Sequence, residues 1–358
     1  MIHLFSACIA FSITLTCIVL LRPLAIRFSL IDVPNDRKCH QGAIPLIGGL
    51  AMFMGFFVAL LTLPISLQHY RSFIAGSILL VFVGLLDDLH ELSPRSRFLA
   101  QIFSLLLMFF WGQIKLTYLG NLFFYKAQGL GFCSLPVSVI AGLGIINAIN
   151  MVDGMDGLAG SLVLVELILL FYCAVISGQL PSAYLLFLMM VVVVAFLWLN
   201  FQIPGRSHAK VFMGDAGSMF LGFTLVWFLI ELSQIGAHAI TPVTMLWIMA
   251  LPLFDTTAVM LYRLSKKRSI FSSDRQHCHH LLAKLGFSAV QVSIILGSAN
   301  LILGLLGVVA YRCQLAEGMM FIGFLIFFLF YFIGIRHLRL RLDQKQNSVV
   351  FVRLLSKN

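Results

Sequence analysis

The sequence predicts an all-α, polytopic membrane helix bundle with about eleven transmembrane helices, and three observations predict it. The first is composition. Of 358 residues, 60% are hydrophobic and only 11% charged, with a mean hydropathy of +1.01, whereas soluble domains carry roughly 25% charged residues. The second is pattern: long apolar runs recur between short polar links, with no ~10-residue alternating segments of the barrel type. Only helices or closed barrels satisfy the backbone inside lipid. The third is charge. Of the 24 Lys and Arg, 20 fall in alternate links. Eleven crossings put the termini on opposite sides, so the positive-inside rule places the N-terminus in the periplasm and the C-terminus in the cytoplasm. The net charge of +10 is thereby read as topology, and nucleic acid is not an expected partner.

The elements follow in order. The first helix, 2–21, has no basic leader and no small-residue cleavage pattern before Arg22, so it reads as a membrane helix. A polar link precedes the second, 45–63, which opens with Gly48 and Gly49. The third, 72–86, ends in Asp87-Asp88, and the fourth covers 97–114. The fifth, 132–149, runs into the stretch from Asn147 to Gly157. The sixth and seventh, 158–176 and 182–199, are joined by a Gly-Pro turn. The eighth, 219–232, follows Phe212-Met-Gly-Asp215-Ala-Gly-Ser218. The ninth, 242–262, contains Pro252 as an expected kink. The longest polar link, 263–287, precedes helices 290–311 and 319–335. Residues 1–335 are expected to form one transmembrane catalytic domain and 336–358 a basic cytoplasmic tail. Several runs fall short of the ~20 residues a crossing needs and must borrow from their links. Seven scattered Cys without a CxxC pair read as apolar fillers.

The carboxylates carry the functional signal. The same topology places Asp87, Asp88, Asp153, Asp156 and Asp215 on or near the cytoplasmic face, where charge bias alone gives acids no reason to gather. Asp87 and Asp88 are adjacent and repel unless a cation or a shared proton relieves them, or else they are a solvated helix end. Asn147, Asn150 and Asp153 are three apart and share a helix face. Their oxygens suit Mg²⁺, which shares ligands with substrate phosphates; a polar helix end is the plain alternative. Asp215 opens a helix, as an N-cap or beside a phosphate. The run from Arg275 through His277, His279 and His280, with Arg263 and the basic residues after it, suits phosphate better than zinc; contact with anionic lipid is the alternative for the basic run. Metal-binding acids and phosphate-binding bases on one face point to a nucleotide or diphosphate substrate and a lipid partner. Asp255, beside Pro252, reads as a helix-break group near a lipid groove or as a buried hydrogen-bonding group; Glu166 reads as structural.

Taken in order, Pro45/Gly48-Gly49, Asp87-Asp88, Asn147-x-x-Asn150-x-x-Asp153-Gly-x-Asp156-Gly, Phe212-Met-Gly-Asp215-x-Gly-Ser and Arg275-x-His277-x-His279-His280 resemble the polyprenyl-phosphate N-acetylhexosamine-1-phosphate transferase family. The loop Asp32-x-Pro34-Asn35-x-Arg37-Lys38-x-His40 and the short His segment place it nearer the N-acetylglucosamine branch than the branch that begins peptidoglycan lipid I. Cys278 stands where that branch usually has Ile, and His90-Glu91 replace a basic position of the peptidoglycan branch. The resemblance implies transfer of GlcNAc-1-phosphate from UDP-GlcNAc to undecaprenyl phosphate, releasing UMP, in the bacterial inner membrane, for O-antigen or enterobacterial common antigen. It implies Asp215 and Asn150 as ligands of Mg²⁺, with Mn²⁺ as the alternate ion, and Asp153 and Asp156 at the nucleotide. Arg263, Arg275, His277, His279 and His280 would hold the sugar and phosphates, Gly48 and Gly49 would border the substrate, and Asp87, Asp88 and His279 would be catalytic. A homodimer is compatible with it. Another UDP-N-acetylhexosamine is the alternative donor. An ion-coupled transporter is the alternative class, disfavoured because its acids belong near midplane.

Overall fold

The computed structural model describes residues 2–32, 43–122, 129–202, 208–234, 239–269 and 276–355. Thirteen α-helices are present among them: α1 Ile2–Arg27, α2 Gly48–Leu60, α3 Arg71–His90, α4 Pro94–Leu106, α5 Ser134–Val152, α6 Leu158–Ile176, α7 Leu180–Asn200, α8 Gly214–Gln234, α9 Pro242–Ile248, α10 Ala250–Ser265, α11 Cys278–Lys284, α12 Ala289–Arg312 and α13 Glu317–Leu355. One two-residue antiparallel pair, β1 Ile31–Asp32 with β2 Ile44–Pro45, is the sheet among the described residues. The chain is thus a polytopic all-α membrane protein. Eight helices are long and apolar enough to cross a bilayer, or nine if α9 and α10 make one bent span. The two remaining predicted crossings fall on α2, with 13 residues, and on α4, which continues as a π-turn over Leu107–Trp111.

The bundle is organised around α8. All of its best membrane-crossing window is buried within the protein, with α2, α3, α5, α6 and α9 packed around it. A helix apolar on every side can be sheathed on every side. Phe220, Phe223, Trp227 and Phe228 are fully buried. Phe73 of α3 stacks on Phe223 with centroids 5.9 Å apart, and Trp227 tilts against Phe73 at 5.4 Å. This wedge fixes α3 against α8, and so fixes which residues meet at their far ends.

Several boundaries move from the sequence reading for physical reasons. The kink expected at Pro252 is a full break at Met249, where α9 and α10 meet at 79°. Proline removes its own N–H and crowds the carbonyl four residues earlier, so the helix fails upstream of it and restarts with Pro252 in a first turn, where that N–H is not needed. The freed N–H of Leu251 donates to Asn300 Oδ1 at 3.4 Å, and Asn300 Nδ2 donates to Glu166 Oε1 at 3.2 Å. Glu166, read as structural, stands in that buried chain. The last helix does not stop at 335: α13 continues into the basic tail, where Leu338 and Leu342 pack with Val152, Leu158, Cys278 and Leu281.

Candidate active site

Four segments end in one place. The last turn of α3 brings Asp87 and Asp88, the end of α5 brings Asn147 and Asn150, and the start of α8 brings Asp215. The start of α11 brings His277, His279 and His280. Between them lies a cleft of about 320 Å³, lined by Arg97, Asn147, Asn150, Asp215, Arg263 and the three histidines together with Pro94, Phe98, Gln101, Met151, Gly154 and Met219.

The acid side is built by α3 and α8. Gly214 adopts φ +71°, a left-handed turn that an L side chain resists, and a Cβ there would stand 2.6 Å from Asp88 Oδ2. The turn presents the first N–H groups of α8 to Asp88. Asp215 N donates to Asp88 Oδ1 at 2.9 Å and Ala216 N donates to Asp88 Oδ2 at 3.4 Å. Asp88 therefore caps α8 from another helix, a favourable place for a carboxylate. Its neighbour Asp87 points elsewhere. Buried at 5% exposure, it accepts from Leu92 N at 2.7 Å and pairs with Arg97 Nη1 at 3.1 Å. Arg97 also stands 3.8 Å from Asp215 Oδ2. Facing them, Asn150 Nδ2 donates to Asp215 Oδ1 at 2.5 Å and to Ser218 Oγ at 2.9 Å.

Arg97 was not singled out from the sequence. The signal available in the sequence was Ser93-Pro94, a helix start only three residues after α3 ends; in the structure Glu91 ends α3 with φ 47° and Ser93 caps α4 with Pro94 at its first position. A link this short folds the first turn of α4 back on the last turn of α3.

The remaining predicted residues divide. Asp153 caps the end of α5, and burial together with the charges of Asp215 and Asp156 pushes its carboxyl up to about 7. Asp156 lies outside the cleft lining and accepts from Gln202 Nε2 at 2.8 Å. Gly48 and Gly49 are also outside the lining. They are buried, and their N–H groups donate to the carbonyls of Phe212 and Met213 at 2.9 Å each, which anchors the segment leading to Asp215. Asn200, unforeseen, joins two loops: it accepts from Gly157 N at 2.7 Å and donates to Val211 O at 2.8 Å. Arg275 lies outside the described residues, as does the loop from Pro34 to His40.

On the basic side, His279 is 1% exposed and neither ring nitrogen has a hydrogen-bond partner among the described residues. Burial, then the neighbouring His280, pushes it down to about 3, which makes it a neutral ring. Gly154 lies against it: a Cβ there would meet His279 Nε2 at 2.5 Å.

Among the described residues no group of three or more His, Cys, Asp or Glu is arranged to hold a metal. The residues do fit Mg²⁺ of the substrate-sharing kind, which takes one or two protein oxygens and completes its shell with water and phosphate. Asp215 supplies a carboxylate, and a half-turn of the Asn150 amide exchanges its N–H₂ for its oxygen at the same place.

The bundle with its helix-end cleft is that of a membrane-embedded transferase by its family: the model of glycosyl transferase family 4 matches residues 70–233. The chain belongs to this family. It is 41% identical over 311 residues to the undecaprenyl-phosphate alpha-N-acetylglucosaminyl 1-phosphate transferase of Yersinia pestis, covering 87% of this chain and 85% of that one. Proteins of the same name from Escherichia coli K12 and Haemophilus influenzae are 39% and 36% identical. They cover 87% and 89% of this chain, and 84% and 90% of their own.

Proposed function

We propose that the chain transfers GlcNAc-1-phosphate from UDP-GlcNAc to undecaprenyl phosphate, releasing UMP, at the cytoplasmic face of a bacterial inner membrane. One observation carries the reading: Asp215 and Asn150, with Arg97 beside Asp215, line a single cleft at the helix ends together with Arg263 and the histidines. That arrangement suits a diphosphate with its counter-cation, and the names of the relatives supply the sugar and the acceptor. The side of the bilayer and the eleven crossings rest on the Lys and Arg distribution and on counting α2, α4 and the bent α9–α10 pair as spans.

In this reading Asp215 and Asn150 hold Mg²⁺, with Mn²⁺ as the alternate. The ion would offset charge on the diphosphate and on the departing UMP. Arg97 and Arg263, both in the cleft lining, bind phosphate oxygens. Asp88 keeps the start of α8, and with it Asp215, in place. Asp87 holds Arg97. His279 takes a proton-poor role as a neutral ring beside the sugar phosphate. The reaction is a single displacement. A phosphate oxygen of the lipid, already an anion near neutrality, forms a bond to the β-phosphorus, and the bond from that phosphorus to the bridging oxygen breaks, sending its electrons to UMP. A strong base is not required for such a nucleophile.

The test is to give purified chain radiolabelled UDP-GlcNAc and undecaprenyl phosphate with and without EDTA. Label in lipid and released UMP, both abolished by EDTA and restored by Mg²⁺, are expected. Product only from another UDP-N-acetylhexosamine would replace the donor, and no product from any would remove the transferase reading.

A further inference from the structure

Asp255 lies in α10 at 3% exposure, and it does not line the cleft. It gathers three hydrogen bonds from two other elements, the start of α11 and α13. His277 Nδ1 lies 2.7 Å from Oδ2, while Cys278 N at the start of α11 and the Tyr331 hydroxyl of α13 each donate to Oδ1 at 2.8 Å. An ionised carboxylate only accepts, so the shared proton sits on His277 Nδ1, and Nε2 is the polar atom the ring has left for the cleft it lines. The His277 ring stacks on His279 with centroids 5.7 Å apart and planes within 11°. A line of contacts therefore runs from a buried anchor, through one ring, to the ring that stands against Gly154.

The last helix completes the anchor. Arg339 Nη2 donates to Gln276 O at 2.7 Å, and its guanidinium covers the Tyr262 ring of α10 at 4.6 Å. Tyr331, Ile335, Leu338 and Leu342 share one face of α13 and pack beside α11. A buried carboxylate is a weak device for stability alone, because apolar side chains of similar size hold helices together as well. What apolar residues cannot do is fix the tautomer and tilt of a histidine.

We propose that Asp255 is a positioning residue for the nucleotide-sugar side of the cleft: acting through His277, it sets the His277–His279 pair against the donor diphosphate, with Tyr331 and Arg339 bracing the same segment. This rests on the transferase reading above.

The experiment is UMP release by the purified full chain in detergent, varying UDP-GlcNAc and undecaprenyl phosphate in turn. Asp255→Asn keeps the size and an acceptor for Cys278 and Tyr331, but it turns an N–H toward His277 Nδ1 and inverts the tautomer. The KM for UDP-GlcNAc is expected to rise about tenfold while the KM for undecaprenyl phosphate stays within about twofold. In a His277→Ala background, Asp255→Asn is expected to add no further loss. Should Asp255→Asn fail to fold, Tyr331→Phe carries the same cycle, with a donor KM raised about threefold that vanishes without His277. Equal rises in both KM values, unchanged kinetics, or losses that multiply in the double variant overturn the proposal. A wild-type chain that releases no UMP overturns the transferase reading and this proposal with it, whereas an active wild type with an unaffected Asp255→Asn overturns this proposal alone.

Discussion

Replacing Gly154 by Ala tests the site with one methyl group. The added Cβ would lie 2.5 Å from His279 Nε2, about 1 Å inside ordinary contact. His279 is held on both sides, with the His280 ring at 4.1 Å and the His277 ring at 5.7 Å, and it is 1% exposed. It therefore yields as a unit with its segment, by something near the full overlap. A displacement of about 1 Å in a positioning group can lower turnover by about 10²-fold, or ~2.7 kcal/mol of transition-state stabilisation. Gly154 is itself exposed and outside the left-handed region, so the thermal midpoint is expected to stay within about 2 °C. The assay is UMP release at saturating UDP-GlcNAc and undecaprenyl phosphate, with His279→Ala measured beside it. Wild-type turnover in Gly154→Ala, with His279→Ala inactive, would refute the claim that this ring must sit where the structure places it.

Three other outcomes follow from the same contacts. Arg97→Ala leaves buried Asp87 facing Asp215 without its cation; turnover is expected to fall at least about 10²-fold, with only partial recovery in Arg97→Lys, whose single ammonium cannot fork between two carboxylates. Asn300→Leu strips the partner from Glu166 and from Leu251 N and is expected to destabilise by about 1–3 kcal/mol in detergent melts, while Glu166→Gln keeps an amide pair and stays within about 1 kcal/mol. His69 is raised by its hydrogen bond to buried Glu231 at 2.6 Å. That contribution is complete below the ordinary histidine range and is lost as pH rises through the raised folded-state value, so the gap in thermal midpoint between wild type and His69→Gln is expected to be wider at about pH 6 than at about pH 9.

The sequence made the helices and the site's membership legible to different depths. Apolar runs mark a membrane helix plainly, so α5, α6 and α7 stand within a few residues of their expected ends. Proline acts on the carbonyl four residues earlier, which is why the break stands at Met249 and not at Pro252. The residues that gather at the cleft were visible as chemistry: Asn150, Asp215, Arg263, His277, His279 and His280 all line it. Their division of labour was not. Adjacent Asp87 and Asp88 look alike as letters, and only the left-handed turn at Gly214 and the fold-back to Arg97 send one to a helix N-terminus and the other to a guanidinium. Asn200 carried no local pattern, because it joins segments distant in sequence; Asp255 stood out as a carboxylate inside an apolar run, and of its two readings the structure shows the buried hydrogen-bonding group, but its partners, also distant in sequence, were not legible.

The burial of α8 makes the two walls of the cleft unequal in a way that bears on divergence. Asp215 rides on a helix enclosed by five others, where any change of side chain must be absorbed by the whole interior. The histidine wall hangs from α10, α11 and α13; Leu261 and Leu264 of α10, Leu285 just past α11 and Leu340 of α13 are exposed. Substitutions there meet little resistance. Divergence within such a bundle therefore has more room on the outer faces of α10 and α13 than anywhere along α8, where the architecture that folds the protein holds each position.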